Sequence, residues 1–213
     1  MRRHGFTLIE LLVVIAIIGM LLAVLIPALQ VAKEQAAGAV CLNNLGGLSK
    51  AYYLYQEENN GKIVWATTGR YVDDPSNGNY PWVESPHDGN PDPSARVYTG
   101  HNSTVEEKKN GIRTGLLYPY AETVDLYHCP GDKRYIQPVG SRGRGAYRSY
   151  GTPGTMMGEW RNGYTVEGVR INGIEKFSEL KTPGDKFIFI EENYTHGPGV
   201  PASAPFDLSL IHI

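Results

Sequence analysis

Little in this chain is equipped for covalent or metal chemistry. Two cysteines in 213 residues, Cys41 and Cys129, are too few for a disulfide-framework fold. No Gly-x-Ser-x-Gly, His-Glu-x-x-His or Cys–His dyad occurs, so no enzyme is expected. His128-Cys129 and the distant His101 offer no paired zinc spacing. An excess of either charge is also lacking. With 20 basic against 22 acidic residues the net charge is −2, which gives no bulk attraction for nucleic acid. Phe and Met are scarce, at 5 and 4, whereas Tyr, Gly and Pro reach 14, 25 and 14, the composition of a loop-rich body. The mean hydropathy is −0.30, so most of the chain is distinctly polar.

One region breaks that pattern. Behind the basic stub Met1-Arg2-Arg3-His4 comes a Gly5–Phe6 junction and then an apolar run to Ile26, in which Glu10 is the lone charge. A carboxylate inside a membrane helix costs about 2.5–3.5 kcal/mol on insertion scales, and such groups ordinarily have partners. A helix from Phe6 to Leu29 would be about 36 Å long, enough for a hydrocarbon core of about 30 Å. Arg2 and Arg3 place the short leader in the cytoplasm, and residues from about 30 onward on the other side, where disulfides persist. A secretory signal would need small residues at a cleavage site soon after the run. Ala36-Ala37-Gly38-Ala39 lies about ten residues late, and a lipoprotein site at Cys41 later still. A plain signal anchor fits by composition but has no use for Glu10.

Gly5, Phe6, Thr7, Leu8, Glu10, the following apolar run and Pro27 together resemble the leader of type IV pilins and type II secretion pseudopilins. The resemblance implies cleavage after Gly5 by a membrane prepilin peptidase, N-methylation at Phe6 and packing of many such helices into a filament. The partners implied are other subunits, the peptidase/methylase, an inner-membrane assembly platform and membrane lipid. Physical reasoning supplies a role for Glu10. Cleavage creates an amine on Phe6, and Glu10 of a neighbouring subunit can neutralise it in the low-dielectric bundle. Pro27 lacks an N–H and is expected to kink or open the helix, either at the membrane exit or for filament packing.

The helix is expected to continue to about Asn59, giving about 80 Å in all. Cys41, Leu45, Leu48, Tyr52 and Tyr55 form one apolar stripe, with Lys33, Glu34, Asn44, Lys50 and Glu57 mostly elsewhere. Asn59-Asn60-Gly61 is a stop signal, and Gly46-Gly47 marks a bend or close packing. Beyond it, 63–65 and 80–83 read as short extended segments, 73–79 and 86–93 as loops, and 115–120 as a helical turn. The best strand candidates are 146–150 and 186–191. The fold class is α+β: a long N-terminal helix packed on a small antiparallel-sheet, loop-rich head. The expected divisions are a leader at 1–5, a transmembrane and filament-core helix at 6–29, its amphipathic continuation at 30–60 and a head at 61–207.

Cys41-Leu42-Asn43-Asn44-Leu45, Cys129-Pro130-Gly131-Asp132, Ser149-Tyr150-Gly151 and a strand ending in Glu191-Glu192 follow in an order that resembles the pilin-like proteins of planctomycetes. A later segment of that group, His-x-x-Gly and Phe-x-Asp-Gly, does not occur. Residues 208–213 are similar to the translation of a transposase sequencing adapter, so the head is expected to be truncated near Asp207.

Candidate sites in the head are few. Cys41 and Cys129 could form a disulfide tying helix to head, or remain two separate buried thiols. Asp88, Asn90 and Asp92 alternate like the opening of a calcium loop, but Pro93 and Thr99 stand where the EF-hand pattern needs Gly and Glu. Turn chemistry is the simpler use, and no cofactor is expected. Gly140–Gly145, with Arg134 and Arg148 near it, is a basic glycine-rich loop without the P-loop lysine, more an exposed turn than a phosphate or nucleic-acid site. Glu191 and Glu192, adjacent on a strand, point to opposite faces and make a poor acid/base pair. The sequence therefore points to a structural filament subunit of a type IV pilus or type II secretion pseudopilus. It would reside in the bacterial inner membrane with its head outside the cytoplasm, then in the filament. The alternative is a membrane-anchored module that binds glycan or calcium and does not polymerise.

Overall fold

The computed structural model describes residues 7–66, 81–99, 103–132, 135, 147–152, 164–166, 169–171, 174, 176–180 and 188–191. One helix dominates, α1 (Leu8–Glu58), 51 residues long. Thr7 starts it as N-cap, and the helix runs through Pro27 without interruption. Its end follows from Asn59-Asn60-Gly61. Asn60 and Gly61 turn to φ 57° and 76°, left-handed values that Asn and Gly tolerate best. Gly61 N–H then returns to the Gln56 carbonyl at 2.8 Å, and the Asn59 side chain caps the Tyr55 carbonyl at 2.8 Å.

Burial along α1 divides it. Residues 7–36 are exposed all round, whereas Cys41, Leu48, Tyr52 and Tyr55 are buried and Leu45 is partly buried against the core. That is the stripe expected from the periodicity. Asn44, placed by its polarity with the outer residues, is instead buried among them. Gly47 admits close packing. A Cβ there would stand 2.7 Å from Leu126 Cδ2, while Gly46 faces open space.

The head covers this second half with loops and short helices. α2 (Val105–Arg113) begins with a capping box in which Thr104 and Glu107 satisfy each other's backbone N–H. α3 (Tyr118–Ala121) falls on the expected helical turn, and 3-10 turns occupy Pro93–Ala95, Val124–Tyr127 and Phe177–Glu179. α1 packs on α3 and on the Val124–Tyr127 turn. Aromatic rings fill the junction. Trp82 stacks on Tyr127 at 5.8 Å and leans on Phe189 at 5.3 Å, and Phe189 meets Tyr52 edge-on at 6.0 Å. Burial raises the Tyr52 and Tyr127 hydroxyls well above the usual tyrosine range, so both stay protonated.

Sheet is sparse. β1 (Tyr150–Gly151) pairs antiparallel with β4 (Ile190–Glu191), and β2 (Tyr164–Val166) pairs antiparallel with β3 (Val169–Ile171). Among the described residues these are two separate two-stranded pairs rather than one sheet, joined by no shared strand. Elsewhere among the described residues, pairing is by single bridges at Lys62–Lys176, Trp65–Pro81 and His87–Tyr98. The fold is thus a long apolar helix followed by a loop-rich head with little sheet.

Candidate functional site

The N-terminal end of α1 is organised around Glu10. Its Oε2 accepts from the Thr7 backbone N–H at 2.8 Å and from the Thr7 hydroxyl at 2.6 Å, while Glu10 N–H donates to Thr7 Oγ1 at 3.3 Å. This is a reciprocal capping box. It satisfies two helix-start donors that lipid would leave bare, and it places a carboxylate beside the positive end of the helix dipole. Thr7 is the partner that the reading of Glu10 alone missed. Its signal was present in the Thr7-Leu8-Ile9-Glu10 spacing directly before an apolar run. Both oxygens of a carboxylate carry acceptor sites beyond those used here, so Glu10 can still receive a further N–H donor.

From Leu8 to Val31 the surrounding surface is apolar on every side. Leu8, Met20 and Val24 are 83, 78 and 73% exposed, and α1 is long and apolar enough to cross a membrane. Pro27 lies inside this bare half. Gly5 and Phe6 lie outside the described residues.

The calcium-like loop uses its oxygens internally. Asp88 Oδ1 accepts from Asn90 N–H and Val97 N–H, Asn90 Oδ1 from Asp92 N–H, and Asp92 Oδ1 from Ser94 N–H and its hydroxyl. These backbone and hydroxyl donors hold the Asp88 and Asp92 carboxyls below the usual range. Beneath the loop lies a polar cluster that the sequence did not announce. Arg96 Nη1 donates to both oxygens of buried Glu84 at 3.0 and 2.9 Å, and Thr114 donates its hydroxyl to the same carboxylate. His87, fully buried, receives Gly89 N–H on Nδ1 at 3.0 Å, which leaves its proton on Nε2, facing Thr114 Oγ1 at 3.0 Å. Burial lowers the His87 pKa, against the pull of Glu84, so the ring is kept neutral. Gly111 brings α2 onto this loop's root. A Cβ there would sit 2.5 Å from the Glu84 carbonyl oxygen. The cluster pins the loop to α2.

Cys41 and Cys129 are brought together and joined as a disulfide, Cα atoms 5.1 Å apart, within the ordinary span for such a bond. Beside it Ser149, His128 and Asp132 converge without forming a nucleophilic triad. Ser149 is fully buried, donates directly to Asp132 Oδ2 at 2.7 Å and accepts Cys129 N–H at 3.0 Å. His128 Nδ1 lies 2.8 Å from the Tyr147 carbonyl, which claims its proton. With the Ser149 hydroxyl turned to Asp132 and Nδ1–H of His128 turned to a carbonyl, the imidazole does not accept from the serine as it would in a triad. Arg148 stands over the Trp82 ring at 5.4 Å. The loop 140–145, Arg134 and Glu192 lie outside the described residues, and Glu191 is described as the end of β4 alone.

Comparison with known proteins places weight on the N-terminal end. The family model that matches is the prokaryotic N-terminal methylation motif, over residues 1–26. This segment is pilin-like. In its N-terminal region the chain is 52% identical over 59 residues to the type IV wide pilus major component PilA4 of Thermus thermophilus. The match covers 28% of this chain and 45% of that relative, so the chain spans less than half the length of the curated relative it matches. No solved structure matches.

Proposed function

We propose that this chain is a non-enzymatic structural subunit of a type IV pilus or a related pseudopilus. In this reading it is cut after Gly5, N-methylated on the new Phe6 amine and assembled through α1, after residence in the inner membrane with the head outside the cytoplasm. One observation carries the reading: the half of α1 with the pilin-like motif is apolar on all sides, wholly uncovered, and holds a single carboxylate at its start. Lipid can cover such a surface before assembly, and sister helices can cover it afterwards. Partners follow from the same need: further subunits, the peptidase that creates the amine and the methylase that modifies it, and a platform that lifts the helix out of lipid.

The head acts as a passenger whose α3 and Val124–Tyr127 turn pack on the second half of α1, with the Cys41–Cys129 bond joining the two. Glu10 meets the charged amine of a neighbour, and the Thr7 box keeps that carboxylate hydrogen-bonded until then. Glu10→Ala and Glu10→Leu test the role. Both variants should accumulate in the membrane and fail to enter sheared filaments. Wild-type levels of either variant in filaments would overturn the role given to Glu10, and absence of the unaltered chain from filaments would leave a non-polymerising anchor.

A further inference from the structure

Cys129-Pro130-Gly131-Asp132 and Ser149-Tyr150-Gly151 meet around one disulfide through the backbone of both cysteines. Tyr150 donates its hydroxyl to the Cys41 carbonyl at 3.3 Å. Ser149 Oγ accepts Cys129 N–H and donates its own O–H to Asp132 Oδ2, and Asp132 N–H returns to the Cys129 carbonyl at 2.9 Å. Asn44, one turn along α1 from Cys41, donates through Nδ2 to the Asp125 and His128 carbonyls at 3.1 and 2.8 Å. Ser149 N–H donates to the Tyr127 carbonyl at 2.8 Å. None of these bonds involves sulfur. The place of each cysteine is therefore specified without the disulfide.

We propose that Ser149 and Asp132 are positioning residues for the oxidation of this pair: the clasp docks the head on α1 first, and the disulfide closes between thiols already side by side. The step needs a disulfide oxidant, for which glutathione disulfide serves. One cysteine thiolate attacks a glutathione sulfur, the S–S bond of the oxidant breaks and one glutathione thiolate leaves. The other cysteine thiolate then attacks the protein sulfur of the mixed disulfide, and the second glutathione leaves. Two thiol protons pass to solvent and two electrons to the oxidant. This holds whether or not the chain polymerises.

Ser149 is suited to the task because its buried hydroxyl uses donor and acceptor together. Ser149→Ala strands the Cys129 N–H and removes a donor to a carboxylate, a class of bond strong enough to change an equilibrium about tenfold or more. The test measures the effective concentration of the two thiols by trapping in glutathione buffers, on the full chain in detergent micelles. Ser149→Ala should lower it about tenfold in native buffer and leave it unchanged in concentrated urea, with Asp132→Asn intermediate and Ser149→Thr restoring it. Equal values for Ser149→Ala and wild type in native buffer overturn the proposal. Should Ser149→Ala fail to fold, the Cys41→Ser/Cys129→Ser chain decides the order. Amide hydrogens of residues 129 and 149 remain protected from exchange if the clasp precedes the bond, and lose protection if the bond makes the clasp.

Discussion

From Leu8 to Val31, α1 buries nothing, while from Cys41 to Gln56 it buries seven residues against the head. Both stretches are one continuous helix, so backbone geometry does not distinguish them. The distribution of apolar side chains does. In the first half they cover every face, and no single neighbour within the chain could shield them. In the second the buried residues follow one stripe, while Lys50 and Glu57 stay in water. An apolar cylinder calls for a surrounding medium, and an apolar stripe calls for one docked domain. The helix thus has a portion whose partner lies outside the chain and a portion whose partner lies within it.

Substitutions can break this contrast. The largest effect expected on the head is from Cys41→Ser/Cys129→Ser. Opening a closed loop with a sequence separation of 88 costs about 4–5 kcal/mol on the chain-entropy argument, read as a lower urea midpoint of the head. Next come two leucines compared side by side. Leu48→Ala removes a fully buried side chain and should cost about 2–5 kcal/mol by the same measurement. Leu22→Ala, at an exposed position of the bare half, should leave the head's urea midpoint unchanged and lower only association between chains. If the two variants shift the head equally, the division fails. Thr7→Val is smaller. Losing the N-cap should cost about 1 kcal/mol, seen as faster amide exchange at residues 8–10 in micelles with no change in the head.

The smallest effect is pH-dependent. His87 has a folded pKa below its unfolded value of about 6.5, so the unfolded chain binds the extra proton. Its contribution is present above about 6.5 and is lost as pH falls through the folded value. The head's urea midpoint should therefore decline on acidification from neutral pH, and His87→Gln should flatten that slope. A slope of the same size in His87→Gln would assign the acid sensitivity elsewhere.

Much of the bare half was legible in the sequence, because its signal is local: a junction, a lone carboxylate and an unbroken apolar run. The stripe of the second half and its stop at Asn59-Asn60-Gly61 were legible for the same reason. Asn44 was not, since a polar residue reads as outward-facing until the carbonyls of Asp125 and His128 arrive from 81 and 84 residues away. Glu84, His87, Arg96 and Thr114 are likewise united only by folding, and each alone reads as a side chain turned to water. Of the described strands, β1 and β4 touch the runs expected at 146–150 and 186–191, whereas β2 and β3 were not expected; only two or three residues of any one are paired, too few for period-two alternation to define a sheet. Thr7 is the instructive omission. Its capping spacing was in plain view, but the carboxylate three residues on drew attention to a partner in another subunit.

The central claim, that the bare half of α1 is an assembly element rather than an anchor, is tested most directly by mass spectrometry of the mature N-terminus from cells with an active prepilin peptidase. The account predicts a chain beginning at Phe6 with one methyl group on its amine. A chain that keeps Met1-Arg2-Arg3-His4-Gly5 would contradict it.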